Sequence, residues 1–467
     1  MPHPRSVHLS HLFVLCGAGW LASCESTRLS RPVDQAAVRT PGSWTAVSSG
    51  SESQISSGWL ALLGDAELTR TVHEAMVNNR DLKAAAARFR GARQATIISR
   101  SRSRPSLGLS GSGSVRDSPD SPSSRDYGLN LAAPWEVDLW GRLRDLNQAA
   151  DAVERAALED FRGARLSLAA NTAKSWCNLI SAEQEVALAQ VTLESFQKNL
   201  RFIERNYLGT GEGALDIQFG RTNVSSAQRS LEQRQQDRED AARTMEILLG
   251  RYPSGTARAS RALPRLRGAV PAGLPADLLD RRPDLAAARA GLFASARRAD
   301  AARKALLPAA SLTGSAGTST IRLADFLDAG NLASAIAARF TQVISEGGAV
   351  KAEARAALDR NDEELHRYVQ SALNAFREVE ASLSADRSLS TKETFLASEL
   401  EQAALAERQA ERDYSEGVNP NILSVLEAQR RANNARASMI RLRNQRLQNR
   451  IDLHLALGGD FQTQPAS

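Results

Sequence analysis

Apolar residues recur along this chain with two different periods. Leu179, Ala182, Val186, Ala189, Leu193, Phe196, Leu200, Ile203 and Tyr207 step alternately by three and four positions. Leu143, Leu146, Ala150, Val153 and Ala157 do the same upstream, and Leu365, Val369, Ala372, Phe376, Val379 and Leu383 repeat the pattern far downstream. This is the narrow stripe of a coiled coil, not the broad apolar face of a helix lying on a globular core. It predicts very long helices over 142–206 and 349–413, each about 97 Å long at a rise of about 1.5 Å per residue. A second long helix follows each, over about 216–249 and 420–457.

The other period is two. Leu129, Leu131, Ala133, Trp135, Val137 and Leu139 alternate with Gly128, Asn130, Ala132, Pro134, Glu136 and Asp138, which predicts a strand with one apolar face. Leu107 and Leu109 open a partner strand, and Arg116 to Asp126, rich in Ser, Pro and Asp, reads as a polar loop between them. A second strand pair, over about 308–318 and 334–345, alternates less cleanly. The two strand regions thus run over about 105–137 and 308–345. Strands of about ten residues, apolar outside and polar inside, are the signature of a transmembrane β-barrel.

These elements occur twice in one order. Asp81-Leu82 and Asp284-Leu285 each open an Ala-rich stretch, and each is followed at the same distance by a proline, Pro105 and Pro308. Leu109-Ser110-Gly111-Ser112 answers Leu312-Thr313-Gly314-Ser315. Gly141 precedes Tyr207 by the same interval as Gly348 precedes Tyr414, and each half closes on Leu-Gly, at Leu249-Gly250 and Leu457-Gly458. Internal duplication is the economical reading. It divides the chain into a first repeat over 67–250, a connector over 251–283 that carries Pro253, Pro264, Pro271, Pro275 and Pro283, and a second repeat over 284–459. Residues 24–66 precede the repeats and 460–467 form a tail.

Composition narrows the class. The 467 residues carry 24% charged residues and a formal net charge of +6. Mean hydropathy is -0.34. A polytopic helical membrane protein, which needs runs of about 20 apolar residues, is excluded. Three cysteines exclude a disulfide scaffold. The excess of positive charge is nearly all arginine, interleaved with acids, so no basic stripe forms and no nucleic-acid partner is expected. Residues 1–23 read as a signal peptide: Arg5 lies in a polar stretch, Leu12 to Ala22 is apolar, and Leu21-Ala22-Ser23-Cys24 resembles the bacterial lipobox. Cys24 would then be lipidated and become the first mature residue. Glu25 follows it, not the Asp associated with inner-membrane retention, so the outer membrane of a Gram-negative bacterium is expected. Cys177 reads as a small core residue on a helix.

Enzymatic signatures are missing. Gly209-Thr210-Gly211-Glu212-Gly213 lacks the preceding strand and following Lys of a phosphate loop and reads as a helix–helix turn. His73, His366 and His454 lack metal-ligand spacing, and no Gly-x-Ser-x-Gly occurs. No enzyme activity, metal or cofactor is expected. Four strands cannot close a barrel, since the smallest have about eight. Two copies would give eight strands and a lumen filled by side chains. Three would give twelve and room for a pore.

The chain resembles the TolC-like outer-membrane factors, in the lipoprotein branch that serves multidrug efflux. The motifs are Tyr127-Gly128-Leu129 through Trp135-Glu136-Val137-Asp138-Leu139-Trp140-Gly141-Arg142; Gly273-Leu274-Pro275 through Leu278-Leu279 and Arg281-Arg282-Pro283-Asp284-Leu285; Tyr414-Ser415-Glu416-Gly417; and Leu457-Gly458-Gly459. The resemblance implies an α+β fold that is mainly α. It implies a homotrimer with a twelve-stranded barrel in outer-membrane lipid, continuous with a periplasmic helical tunnel, and an equatorial belt from the connector and termini. The implied role is the passive exit duct of a tripartite pump. Its partners would be a periplasmic adaptor and an inner-membrane transporter of the resistance-nodulation-division class. A duct for type I protein secretion and, less favoured, a periplasmic adaptor lipoprotein are the alternatives.

The resemblance also places a periplasmic gate at the two helix tips. Tyr414 matches the gate tyrosine and Asp216 the gate-linking acid, nine residues after Tyr207, which is counted with the gate. Read without the resemblance, Tyr414 ends a heptad seam and Asp216 favours the first turn of a helix. Asn419 stands where other members have an arginine, and Leu423 and Leu426 stand where some have acids. A hydrophobic constriction is then the alternative to a carboxylate ring, with Glu427 an unmatched acid nearby. Adaptor docking is expected at the tips, at Gly211 and Gly213 and at Gly417 and Pro420.

Overall fold

The computed structural model describes residues 40–46, 58–118, 121–210, 214–259, 262–266, 275–325, 328–418 and 421–460. Cys24, Gly211, Gly213, Asn419 and Pro420 lie outside the described residues. The elements in chain order are α1 (Trp59–Leu62), α2 (Ala66–Asn78), α3 (Arg80–Ser101), β1 (Gly108–Ser118), β2 (Ser121–Val137), α4 (Arg142–Thr210), α5 (Ala214–Leu248), α6 (Leu278–Arg281), α7 (Pro283–Lys304), β3 (Ala309–Thr320), β4 (Leu332–Thr341), α8 (Ala349–Ser415) and α9 (Ile422–Ala456). α4 and α8 hold 69 and 67 residues. Among the described residues, two compact units form. One takes residues 96–152 and 291–366, the other 40–95, 153–290 and 367–460. Each unit draws on both halves of the sequence, so compactness cuts across the duplication.

The first unit carries a four-stranded antiparallel sheet in the order β1-β2-β3-β4. Its central pair joins the two halves, from Tyr127↔Thr320 to Val137↔Ala310. Gly317 permits this pairing: a Cβ there would lie 2.5 Å from the Leu129 carbonyl oxygen. The stretch Arg116 to Asp126 is a correction to the loop expected there. Val115 pairs with Arg125 and Arg116 with Ser124, so the ladder runs through most of it. Period-two apolar patterning is required only where one face meets an apolar medium. Once a hairpin is anchored, backbone hydrogen bonds extend it through polar residues. The second strand pair is trimmed the other way, since β4 ends at Thr341.

The phrase from Glu136 to Arg142 builds the corner between β2 and α4. Gly141 takes a φ of 76°, open to glycine at little cost. The Asp138 carboxylate accepts from the backbone N–H of Leu143 at 3.0 Å and of Arg144 at 2.8 Å, satisfying donors that a helix start leaves bare. Arg142 Nη2 holds both Glu136 oxygens, at 2.6 and 2.9 Å. Trp140 Nε1 donates to the Pro308 carbonyl at 2.7 Å, and Lys304 Nζ reaches Asp145 at 2.6 Å, which ties the two repeats together beneath the sheet.

The second unit is organised by two apolar clusters. One gathers Trp59, Leu68, Val72, Trp176, Cys177, Ile180, Met245 and Leu249 with Leu447 and Ile451. The other gathers Trp44, Leu278, Leu285, Ala372, Val379, Leu453 and Leu457. Cys177 is fully buried, and burial ahead of the Asp65 charge pushes its thiol up to about 12, so it is a chemically quiet core residue. The segment before the first repeat therefore places one tryptophan in each cluster. Glu380 fixes it further by accepting from the backbone N–H of Thr45 at 2.7 Å and Ala46 at 2.9 Å. Arg282, from the Arg-Arg-Pro-Asp-Leu phrase, binds Asp284 at 2.7 Å and Glu378 at 2.8 Å. Gly250 and Gly458 end α5 and α9 with φ of 69° and 68°. Their Cα atoms sit so close to the Asn78 and Arg281 carbonyls that a Cβ would meet these at 2.7 and 3.0 Å.

Two titratable groups are built into this unit. Glu246 accepts from the backbone N–H groups of Gly255, Thr256 and Ala257 and from Ser254 Oγ, strapping the start of the connector to α5. Burial acts to raise its pKa, but these donors outweigh it and hold the carboxyl below the ordinary value of 4.5. His454 stacks on Trp59, ring centroids 6.0 Å apart. Burial, and after it the Arg450 charge, pushes its pKa down to about 4. Both shifts mean that the unfolded chain binds more protons, so stability is lost as the pH falls. Loss from His454 begins below its ordinary value of 6.5 and is complete near 4. Loss from Glu246 begins below 4.5. We expect the melting temperature to fall from pH 6.5 toward 4 and His454→Phe, which keeps the stack, to flatten that slope. Glu246→Ala should cost roughly 2 kcal/mol or more in chemical denaturation, because buried N–H donors lose their acceptor.

Candidate gate at the helix tips

The end of α4 meets the start of α9 in a small apolar cluster of the second unit. Ile203, Ile422 and Val425 are buried there, with Ile217, Ala410, Tyr414 and Leu426 packed against them. α4, α5, α8 and α9 all contribute. α8 ends one residue beyond Tyr414, and Gly417 turns the chain with a φ of 75°. Asn421 then starts α9 by accepting from the Leu423 N–H at 3.0 Å. Gly220 brings α5 close to α4: a Cβ there would be 3.0 Å from Leu200 Cδ1.

Tyr414 lies half-buried on this cluster, its ring 5.4 Å from that of Phe202 and tilted by 58°. Burial, and after it the charge of Asp216, raises the pKa of its hydroxyl. Asp216, in the first turn of α5, is therefore near enough to act on the hydroxyl through its charge. The raised pKa keeps the phenol neutral. Tyr207 is half-buried near the end of α4, outside this cluster. The two leucines part company. Leu426 packs on the cluster, whereas Leu423 is 50% exposed. Glu427 is committed elsewhere: hydrogen bonds from Arg430 and Arg431 pull its pKa down to about 2, and its charge is compensated on its own helix.

Phe202, Ile217 and Val425 went unmarked in the sequence pattern. Phe202 lies one residue off the α4 seam, and a tip cluster fed by four helices has no single period. The spacing Ile422, Val425, Gln429, Ala432 was the available signal. Leu208, Leu215 and Val418 stand outward at the tips, 85%, 65% and 72% exposed. Asp216→Asn should lower the Tyr414 pKa toward its ordinary value, because a phenolate would no longer face a carboxylate. Ultraviolet difference titration against Tyr414→Phe checks this; an unchanged titration would mean that the carboxylate does not reach the hydroxyl.

Comparison with known proteins agrees with this architecture. The profile of the Outer membrane efflux protein family matches residues 71–251 and 274–459. The Pyoverdine export outer membrane protein OpmQ of Pseudomonas aeruginosa is 29% identical, over 97% of this chain and 98% of that protein. The solved outer-membrane channel OprN superposes with a TM-score of 0.83 at 26% identity, over 90% of this chain and 97% of the other. The open state of the MtrE outer membrane channel of Neisseria gonorrhoeae gives 0.81 at 26% identity, over 92% and 98%. With both repeats matched and the whole fold shared, the chain belongs to the outer membrane efflux protein family, with the mainly helical TolC-like fold.

Proposed function

We propose that this protein is the outer-membrane exit duct of a tripartite efflux pump, passively conducting drugs or other small molecules outward. The observation that carries the reading is a four-stranded sheet whose edges, β1 and β4, are unpaired among the described residues, on a chain dominated by four long helices. In lipid each edge must find a partner strand. A homotrimer supplies twelve strands, a closed barrel and a lumen wide enough to conduct. A periplasmic adaptor and an inner-membrane transporter of the resistance-nodulation-division class provide docking and energy, and the chain supplies no catalysis. The adaptor meets the tips, where Leu208, Leu215 and Val418 are exposed. Cys24 carries the acyl anchor.

Tyr414 and Asp216 serve the gate in this reading. A neutral phenol beside a carboxylate forms a hydrogen bond that is stronger than one between neutral groups. Leu423, 50% exposed beside the buried tip cluster, supports an apolar constriction in place of a carboxylate ring. Purified full-length protein in a planar bilayer should show small, discrete conductance steps, enlarged several-fold in Tyr414→Phe combined with Asp216→Ala. A folded trimer that conducts nothing in either form would sink the channel reading. Separately, Cys24→Ser should abolish palmitate incorporation in cells.

A further inference from the structure

α8 and α9 are joined by a ladder of polar pairs with heptad spacing. Gln429, Arg436, Arg443 and Arg450 recur every seventh residue of α9. Each meets a carboxylate of α8. Arg450 Nη2 is 3.2 Å from Asp386, Arg443 Nε is 3.1 Å from Glu393, and Arg436 Nη1 is 3.2 Å from Glu407. Gln429 Nε2 is 2.7 Å from Glu411. The rung nearest the tip thus replaces the repeating arginine by a neutral amide.

The replacement changes what the rung can do. A guanidinium only donates, whereas an amide also accepts. Gln429 Oε1 accepts from Asn199 Nδ2 at 2.9 Å, and Gln429 Nε2 also reaches Ser195 Oγ at 3.2 Å. Both partners belong to α4. Gln429 is 1% exposed and occupies the seam of α9 between Val425 and Ala432, both buried. A buried polar residue in a coiled-coil seam costs stability and is best attested as a device that fixes register. Ile422, the edge of the tip cluster, lies one heptad below, about 10 Å along the helix.

We infer that Gln429 is a latch that ties the α8–α9 hairpin to α4 just above the gate, and that opening must break it. This rests on the channel reading above. Parting α9 from α4 costs Gln429 two partly buried hydrogen bonds while the arginine rungs, which join α8 to α9, stay intact. The hairpin then moves as one piece, and the closed register is regained when the amide finds Asn199 again.

The test exploits the polarity of the amide. Gln429→Arg completes the arginine ladder with Glu411 but offers Asn199 no acceptor. Asn199→Ala removes the α4 donor and leaves the ladder untouched. In planar bilayers both variants should conduct at least twofold more than wild type, with melting temperatures near that of wild type. The double variant Gln429→Arg with Asn199→Asp restores an acceptor opposite the new guanidinium and should return conductance to the wild-type level. A purely structural role for Gln429 would not predict that rescue. Folded variants with wild-type conductance, or a double variant as conductive as the single, overturn the latch. If wild type itself conducts nothing, the channel reading fails. The latch is then judged by spin labels at the exposed Leu208 and Leu423 positions, whose separation should increase in Gln429→Arg and whose constancy would refute it.

Discussion

A sheet of four strands has two edges, and lipid offers no hydrogen bond to either. Everything else in this protein is compatible with, or forced by, that shortage. The two halves of the duplicated sequence each supply a hairpin, and β2 pairs with β3 so that two edges are already consumed within one chain. The remaining two cannot be satisfied by any other segment of the described chain. An outer-membrane protein with this sheet is committed to assembly, whatever its cargo.

The helices solve a different problem. A seam of small and aliphatic residues holds long helices together but discriminates poorly between registers one heptad apart. The polar positions supply that discrimination. Arg450, 6% exposed, is held by Asp386, and Arg446 and Arg443 share Glu393. Ion pairs of this kind add little net stability after desolvation, yet a register that parts Arg450 from Asp386 would strand a buried charge. The ladder therefore selects one alignment of α8 on α9 more than it strengthens that alignment. Gln429 is the rung at which the same logic is applied to a third helix.

At the other end of α9, stability is concentrated. Leu453, Ala456 and Leu457 pack with Trp44, and His454 stacks on Trp59, so both tryptophans of the preceding segment hold the same helical turn. Gly58 N–H adds a bond to the Asp460 carbonyl at 2.8 Å. The tip cluster is smaller, with three buried residues, and more of its neighbours face solvent. A helix fixed firmly at its root and lightly at its tip can change at the tip without unfolding, since low local burial means low local stability.

By itself the sequence determined the duplication and the long helices, because each is a pattern that repeats along the chain. Motif resemblance added the family and singled out Tyr414 and Asp216 as gate candidates. It left the roles of the motif phrases unread. That Asp138 caps α4, that Arg282 binds Glu378, and that Glu246 straps the connector are contacts between residues with no shared period. The ladder's Gln429 had a legible spacing, but its partners Asn199 and Ser195 lie on another helix far back in the chain. Only the tertiary structure could decide which seam faced which, because a heptad fixes a stripe on one helix and says nothing about the helix that will lie against it.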